Sequence, residues 1–256
     1  MQNSIKGLIG SKEEVTRLFS MGQAGFIIKS KMGKLLGVDL YLSDCVERVE
    51  GNIGFKRLLP KILAPSEIIL DCIIATHPHY DHFDYDSMPS LLASGKTKLF
   101  ASLECRKEMT TLGIEKKPVV YVSPQDSFTV DGFHFHFIHC DHGAEAPDAV
   151  GVIICVDGKN ILMVGDTSLR LDWRDEYLSK GPIDILIAPI NGKFGNLNAE
   201  ECAKLADILK PALLIPCHYG MCALHGGDPG AFYELMKNKY PDRNFMFLSM
   251  GESIVI

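Results

Sequence analysis

The stretch Thr76-His77-Pro78-His79-Tyr80-Asp81-His82 constrains this chain more than any other, because it sets three imidazoles and a carboxylate in six consecutive positions after an apolar run. His77 and His79, two apart in an extended segment, point the same way and can share one ion. Asp81 and His82 follow where the chain turns, so they can face a second position a few ångströms off. Nitrogen and oxygen ligands of this kind suit zinc or another first-row metal, and a paired-metal site becomes possible. A loop whose histidines merely hydrogen-bond the backbone would account for one imidazole, but not for three beside an aspartate.

The rest of the composition bounds what can surround such a site. The 256 residues are 46% apolar and 23% charged, as in a soluble globular protein with a sizeable core. No run approaches the ~20 apolar residues of a membrane span. Met1–Gly10 lacks the basic start, long apolar stretch and small-residue cleavage site of a signal peptide. The cytoplasm is therefore the expected compartment, with no membrane partner. Eight cysteines scattered without a C-x-x-C pair read as reduced thiols, most of them small buried hydrophobes. A formal charge of −6 argues against nucleic acid, which needs clustered Lys and Arg, and leaves a small anionic substrate open.

The patterning predicts one compact α/β domain over residues 1–256, without repeat or linker. Val15–Ser20, Gly25–Ser30 and Leu35–Leu40 read as antiparallel strands, with a turn at Lys31-Met32-Gly33-Lys34. Leu42–Ser66 reads as a loop-rich insertion with a short helix at most. Ile68–Ala75 is an apolar run suited to a buried strand that delivers the histidines, and Asp84 or Asp86 is expected to cap a helix through Leu92. Strand, helix and strand follow at Lys98–Ala101, Leu103–Leu112 and Val119–Val122. Asp131-Gly132 and Asp157-Gly158 mark two hairpins, Phe128–Val130 with Phe133–His139 and Val150–Val156 with Asn160–Val164. A helical stretch around Trp173–Ser179 leads to the strand Ile183–Ala188. Asn198 with Glu201 forms a capping box for a helix through Leu209, Leu213–Pro216 is a buried strand, and Asp228-Pro229 starts a helix to about Lys239. Phe245–Leu248 and Ser253–Ile256 are the last expected strands.

Three further residues stand where buried strands end: His142, Asp166 in Gly-Asp-Thr, and His218 in Pro-Cys-His-Tyr-Gly. Singly, each reads as scaffold or turn residue as readily as ligand. Their order after H-x-H-x-D-H resembles the metallo-β-lactamase superfamily of hydrolases over most of the chain. The resemblance implies a four-layer αββα sandwich, with two mostly antiparallel sheets facing each other and the metal at one edge. It also implies His77, His79 and His142 on one metal, Asp81, His82 and His218 on the other, and Asp166 bridging. A closer resemblance is to the branch containing L-ascorbate-6-phosphate lactonase. It rests on Gly22-Gln23-Ala24-Gly25-Phe26, Val38-Asp39, Asp71–His82, Pro189-Ile190-Asn191-Gly192, and Pro216-Cys217-His218-Tyr219 running on to Asp228-Pro229. The chain is shorter than that lactonase and differs from it over His142–Asp148. His139 competes with His142 as ligand, and the Pro-Asp-Ala-Val-Gly after His142 favours His142. His134 and His136 alternate with phenylalanines and should line the other sheet face. Cys217, with no second base nearby, reads as packing rather than nucleophile.

The expected activity is that of a hydrolase carrying one or two Zn²⁺ or Mn²⁺ ions, which make hydroxide available at neutral pH. Asp81 and His218 are the candidate catalytic residues, with Asp81 holding the nucleophile. Lactone opening leads on resemblance, with a phosphorylated sugar as the expected substrate. Phosphodiester hydrolysis is the alternative, and a non-catalytic metal-binding protein on the same fold is a third reading. A phosphate would be met by Arg57 and His225 first, and by Lys56, Arg170, Asn191 and Lys193 around the rim. A homo-oligomer is compatible with all of this.

Overall fold

The computed structural model describes residues 5–256. The first four residues of the Met1–Gly10 stretch lie outside the described residues. A short helix α1 (Ile5–Ile9) precedes the antiparallel strands β1 (Arg17–Gly22), β2 (Gly25–Lys29) and β3 (Leu35–Val38). The Leu42–Ser66 insertion holds one short helix, α2 (Cys45–Glu50), as its irregular pattern predicts. The apolar run condenses to β4 (Cys72–Ala75): Ile69 faces solvent and Asp71 is only half-buried, so burial is unbroken only over the last four residues. Then come α3 (Met88–Leu91), β5 (Lys98–Ser102), α4 (Cys105–Thr111), β6 (Val119–Val122), β7 (Ser127–Val130), β8 (Phe133–His139), β9 (Val150–Val156) and β10 (Lys159–Met163). The chain closes with α5 (Arg174–Tyr177), β11 (Ile185–Pro189), α6 (Ala199–Leu209), β12 (Leu213–Cys217), α7 (Pro229–Lys239) and β13 (Ser253–Val255).

One expectation holds in its chemistry and one changes. Ser87 directly precedes α3 but makes no side-chain cap, and Asp84 caps the turn that leads into the helix, its Oδ1 accepting from the Asp86 and Ser87 N–H groups (3.1 and 3.2 Å); the same buried carboxylate also accepts from the Leu42 and Ser43 N–H groups and from the Ser43 and Ser87 hydroxyls. Asp84 therefore ties the insertion to the segment after the histidine cluster, while Asp86 pairs with Arg48 on the surface. Phe245–Leu248 forms no strand beyond a single parallel bridge from Phe245 to Leu214, since its rings pack on α7 rather than extending the ladder.

A seven-stranded sheet in the order β13-β1-β2-β3-β4-β5-β6 faces a six-stranded sheet in the order β12-β11-β10-β9-β8-β7. The sheets are mixed rather than mostly antiparallel. β3 to β6 run parallel in the first and β10 to β12 in the second, since each of these connections crosses over instead of turning back. Period-two alternation sends Phe133, Phe135 and Phe137 of β8 into the core between the sheets, against Ile28, Ile74 and Phe100 of the first sheet. His134 and His136 point the other way and meet Thr129 and Ser127 on β7. A second core lies between the first sheet and α1, α3 and α4, and a third between the second sheet and α5, α6 and α7. The result is the αββα sandwich. Cys72, Cys105, Cys202 and Cys217 are buried in these cores, Cys45, Cys140 and Cys222 in smaller clusters beside them, and Cys155 is partly buried, all with free thiols. Among the described residues, no helix is long and apolar enough to cross a membrane.

Candidate metal centre

β4 and β10 to β12 run parallel within their sheets, and β8 points the same way as β10 because β9 is antiparallel to both. Residues just past the carboxyl ends of these strands therefore gather at one edge, the usual place for a site in an open α/β sheet. His77 to His82 follow β4, His142 follows β8, Asp166 follows β10 and His218 follows β12.

The turn after β4 is held by the Asp39 carboxylate. Thr76 donates to it from its backbone N–H (2.8 Å) and its hydroxyl (2.7 Å), and His82 Nδ1 lies 2.9 Å away. His77 Nδ1 sits 3.0 Å from Thr76 Oγ1. Both imidazoles are thereby turned to present Nε2 inward, as an outer partner does for a metal-binding histidine. The Phe83 N–H bonds to the His79 carbonyl (2.7 Å), which curls the chain so that Asp81 and His82 face back toward the strand end.

Three nitrogens meet at one point: His77 Nε2 and His142 Nε2 lie 3.0 and 3.1 Å from His79 Nδ1. Beside them, His218 Nε2 is 2.9 Å from Asp166 Oδ2 and 3.3 Å from Asp81 Oδ2, while His82 Nε2 is 3.3 and 3.7 Å from the same two oxygens. Three overlapping sets result, His77-His79-His142, His77-His82-Asp166 and Asp81-His82-His218, each with its ligand atoms within 4.8 Å of one another. Asp166 lies between the two outer sets. The donors fit a first-row metal on their own chemistry. His82 Nε2 is buried with no hydrogen-bond partner, and neutral imidazole nitrogens that converge so closely repel unless a proton or cation lies between them.

The electrostatics of the two halves differ. Burial pushes His77 well below the usual histidine range and takes His142 down to about 4, so both are neutral near pH 7. Burial would also lower His82 and His218, but Asp166, then Asp81, outweighs it; His82 is held well above the usual range and His218 at about 9. Against the same burial cost, the imidazoles hold Asp81 and Asp166 well below the usual carboxylate range.

The backbone is strained around the centre. Gln23, Asp39 and His218 are all non-glycine residues at positive φ (54°, 48° and 62°), a sparsely populated region kept only where surrounding contacts enforce it. The His218 N–H donates to the Gln23 carbonyl (2.8 Å). The buried Gln23 side chain donates from Nε2 to Asp81 Oδ2 (2.7 Å) and touches His218 and His225. Gln23 and Asp39 were assigned no role from sequence, although both stand in stretches that carry the resemblance, Gly22-Gln23-Ala24-Gly25-Phe26 and Val38-Asp39. Asn196, which donates to Asp166 Oδ2 (2.7 Å), gave none.

A cavity of about 180 Å³ opens over His79, Asp81, His142, Asp166 and His218. Its walls are Val46, Phe55, Tyr80 and Phe194, with His225 set edge-on between Phe55 and Phe194 and Glu50 and Glu145 completing the lining. His225 is thus where it was expected, 3.8 Å from Asp81 Oδ2. The other expected substrate contacts are not. Arg57 lies under the insertion, donating to the carbonyls of Leu59, Tyr41 and Ser43 and stacking on Tyr41, so its guanidinium is committed to the fold. Arg170 pairs with Asp141 and Asp172 over the Trp173 ring. Lys56 and Lys193 are exposed and absent from the lining, and the buried Asn191 bonds to the Lys193 carbonyl instead. His139 is held by Glu176, 3.0 Å away, and stacks on Trp173, apart from the cluster that takes His142. The Cys217 thiol packs in the core between the sheets, where burial raises it far above its ordinary pKa.

A family model described as the beta-lactamase superfamily domain matches residues 41–219. The chain is 29% identical to a UPF0173 metal-dependent hydrolase of Saccharolobus solfataricus, over 73% of this chain and 81% of that one. It is 28% identical to a UPF0173 metal-dependent hydrolase of Thermococcus kodakarensis, over 91% and 96% of the two. Among solved structures, a metallo hydrolase from Ignicoccus hospitalis superposes with a TM-score of 0.74 at 18% identity, covering 94% of this chain and 98% of that one.

Proposed function

Because the chain belongs to the beta-lactamase superfamily and its relatives are named metal-dependent hydrolases, we propose that it hydrolyses a carboxyl-ester bond, a lactone foremost, at the cavity over the His and Asp cluster. The observation that carries this reading is the convergence of five imidazole nitrogens and two carboxylates at the floor of a small cavity. His77, His79 and His142 would hold one divalent metal, Asp81, His82 and His218 a second, with Asp166 between them. Bound there, such ions lower the pKa of water from about 15.7 to about 7 and polarise the carbonyl to be attacked.

The chain's own groups do the rest. Asp81, kept ionised by His82 and His218 and fixed at Oδ2 by the Gln23 amide, is the acceptor that orients the attacking water. Phe55, Tyr80 and Phe194 narrow the cavity and exclude bulk water, which strengthens the electrostatics inside. Phosphodiester hydrolysis finds less support, since no Lys or Arg lines the cavity to meet a second phosphate oxygen. The test is to load purified protein with Zn²⁺ or Mn²⁺ and assay a panel of lactones, simple esters and phosphodiesters. Lactone or ester turnover that disappears with chelator and with Asp81→Ala is expected. Turnover of phosphodiesters alone, or of nothing, would overturn the proposal.

A further inference from the structure

The charge around the cavity points to the kind of substrate it takes. Its lining contains no Lys or Arg, and outside the ligand set its only charged side chains are Glu50, the last residue of α2, and Glu145, in the 3-10 turn that follows His142. Both are exposed, and among the described residues neither carboxylate has an ion-pair or hydrogen-bond partner. Of the nearby cations, Arg48 is committed to Asp86, Arg57 to three carbonyls, and Arg170 to Asp141 and Asp172, while Lys56 and Lys193, next in sequence to the wall residues Phe55 and Phe194, stay outside the lining. Neither carboxylate is therefore paired with a cation of the protein.

The same cavity has an aromatic wall of Phe55, Tyr80 and Phe194. Phe194 is 51% exposed and sits at φ +55°, so a large apolar ring is held in water on the rim where a ligand would cover it. Aromatic faces and carboxylates together recognise alkylammonium groups, the rings through their negative faces and the acids through direct attraction. The same rim repels a phosphate or carboxylate. At about 180 Å³ the cavity is smaller than the few hundred Å³ that usually hold a drug-sized ligand, so the recognised group must be compact.

We infer that the non-reacting end of the substrate is a compact alkyl- or arylammonium group, and that Glu50 and Glu145 select for it and against anionic esters. This rests on the reading of the cavity as a hydrolytic site, and the test keeps the two apart. Metal-loaded protein is assayed with phenyl acetates bearing para trimethylammonium, tert-butyl or carboxylate groups, each rate normalised to alkaline hydrolysis of the same ester. The first two groups have the same shape and differ in charge. The expected order of kcat/KM is cation, neutral, anion, with at least a tenfold span from first to last at low salt that narrows as salt is raised. In the double variant Glu50→Gln, Glu145→Gln the span should fall to within twofold of unity. An anion as fast as the cation, or a span that survives in the double variant, would overturn the inference.

Binding of benzyltrimethylammonium, followed by calorimetry, judges the inference independently of turnover. Its affinity should weaken at least tenfold in the double variant. No binding, or unchanged binding, would overturn the inference even if esters are hydrolysed. If the cation binds as expected while no ester turns over, the hydrolytic reading fails and the recognition stands.

Discussion

His139 and His142 stand three residues apart on the segment that leaves β8 and end in different company, one against Glu176 and the other beside His77 and His79. His142→Ala should remove about one metal equivalent per chain and abolish activity, while His139→Ala keeps metal content and loses only a surface pairing; elemental analysis of both variants decides it. The segment after His142 made that choice legible. The histidine-rich run was legible for a simpler reason, since its ligands lie within one turn of chain. Asp39 was not, because its part depends on a left-handed backbone and on His82, 43 positions away. A pH dependence follows from the uneven halves. With no metal bound, His218 at about 9 and His82, held well above its usual range, keep their protons at pH 7, so a cation binding beside Asp81 must displace both, whereas His142 at about 4 is already free. Raising pH from 7 to 9 should therefore strengthen binding at the carboxylate half by up to about tenfold per unit for each of the two protons, with little change at the nitrogen half; competition titrations at fixed free metal measure both.

At the scale of elements, local signals carried furthest where the element stabilises itself. Asn198 accepts from the Glu201 N–H (3.0 Å) and Glu201 returns the bond to the Asn198 N–H (2.9 Å), the capping box expected for α6. Asn198→Ala should cost about 1 kcal/mol of stability in denaturant unfolding. It should also loosen the segment from Asn191 to Asn196 that bridges to Asn198 and reaches Asp166, seen as weaker metal retention without loss of fold. Elements that depend on distant partners were read less well. Phe245–Leu248 has a strand's apolar composition, but its rings are taken up by α7. Asp84 does cap the turn into α3, but its second task, accepting from Leu42 and Ser43 across the insertion, had no local signal. Arg57 shows the same limit for function: sequence places it in a loop near the metal strand, and only the packing shows that its side chain turns inward to Tyr41 and Ser43.

Across the whole molecule, the seven candidate ligands come from both sheets, four from the end of β4 and the others from the ends of β8, β10 and β12. A metal there clasps the two halves of the sandwich, so its binding free energy adds to folding stability. At free metal a thousandfold above its dissociation constant the gain is about 4 kcal/mol, and chelation should lower the thermal midpoint by a corresponding amount in calorimetry. The alternation of Phe133, Phe135 and Phe137 made the sandwich legible, but the mixed strand directions required the crossovers to be seen. The buried cysteines carry a further consequence. Burial pushes Cys45, Cys72, Cys105 and Cys222 up to about 12, so hardly any thiolate exists at neutral pH while the layers stay closed. A maleimide or disulfide reagent should modify the partly exposed Cys155 first and the others only as the packing around each opens. The chain thus carries its own stopwatch: mass spectrometry of successive alkylations times each opening of the layers, and oxidative damage follows unfolding rather than causing it.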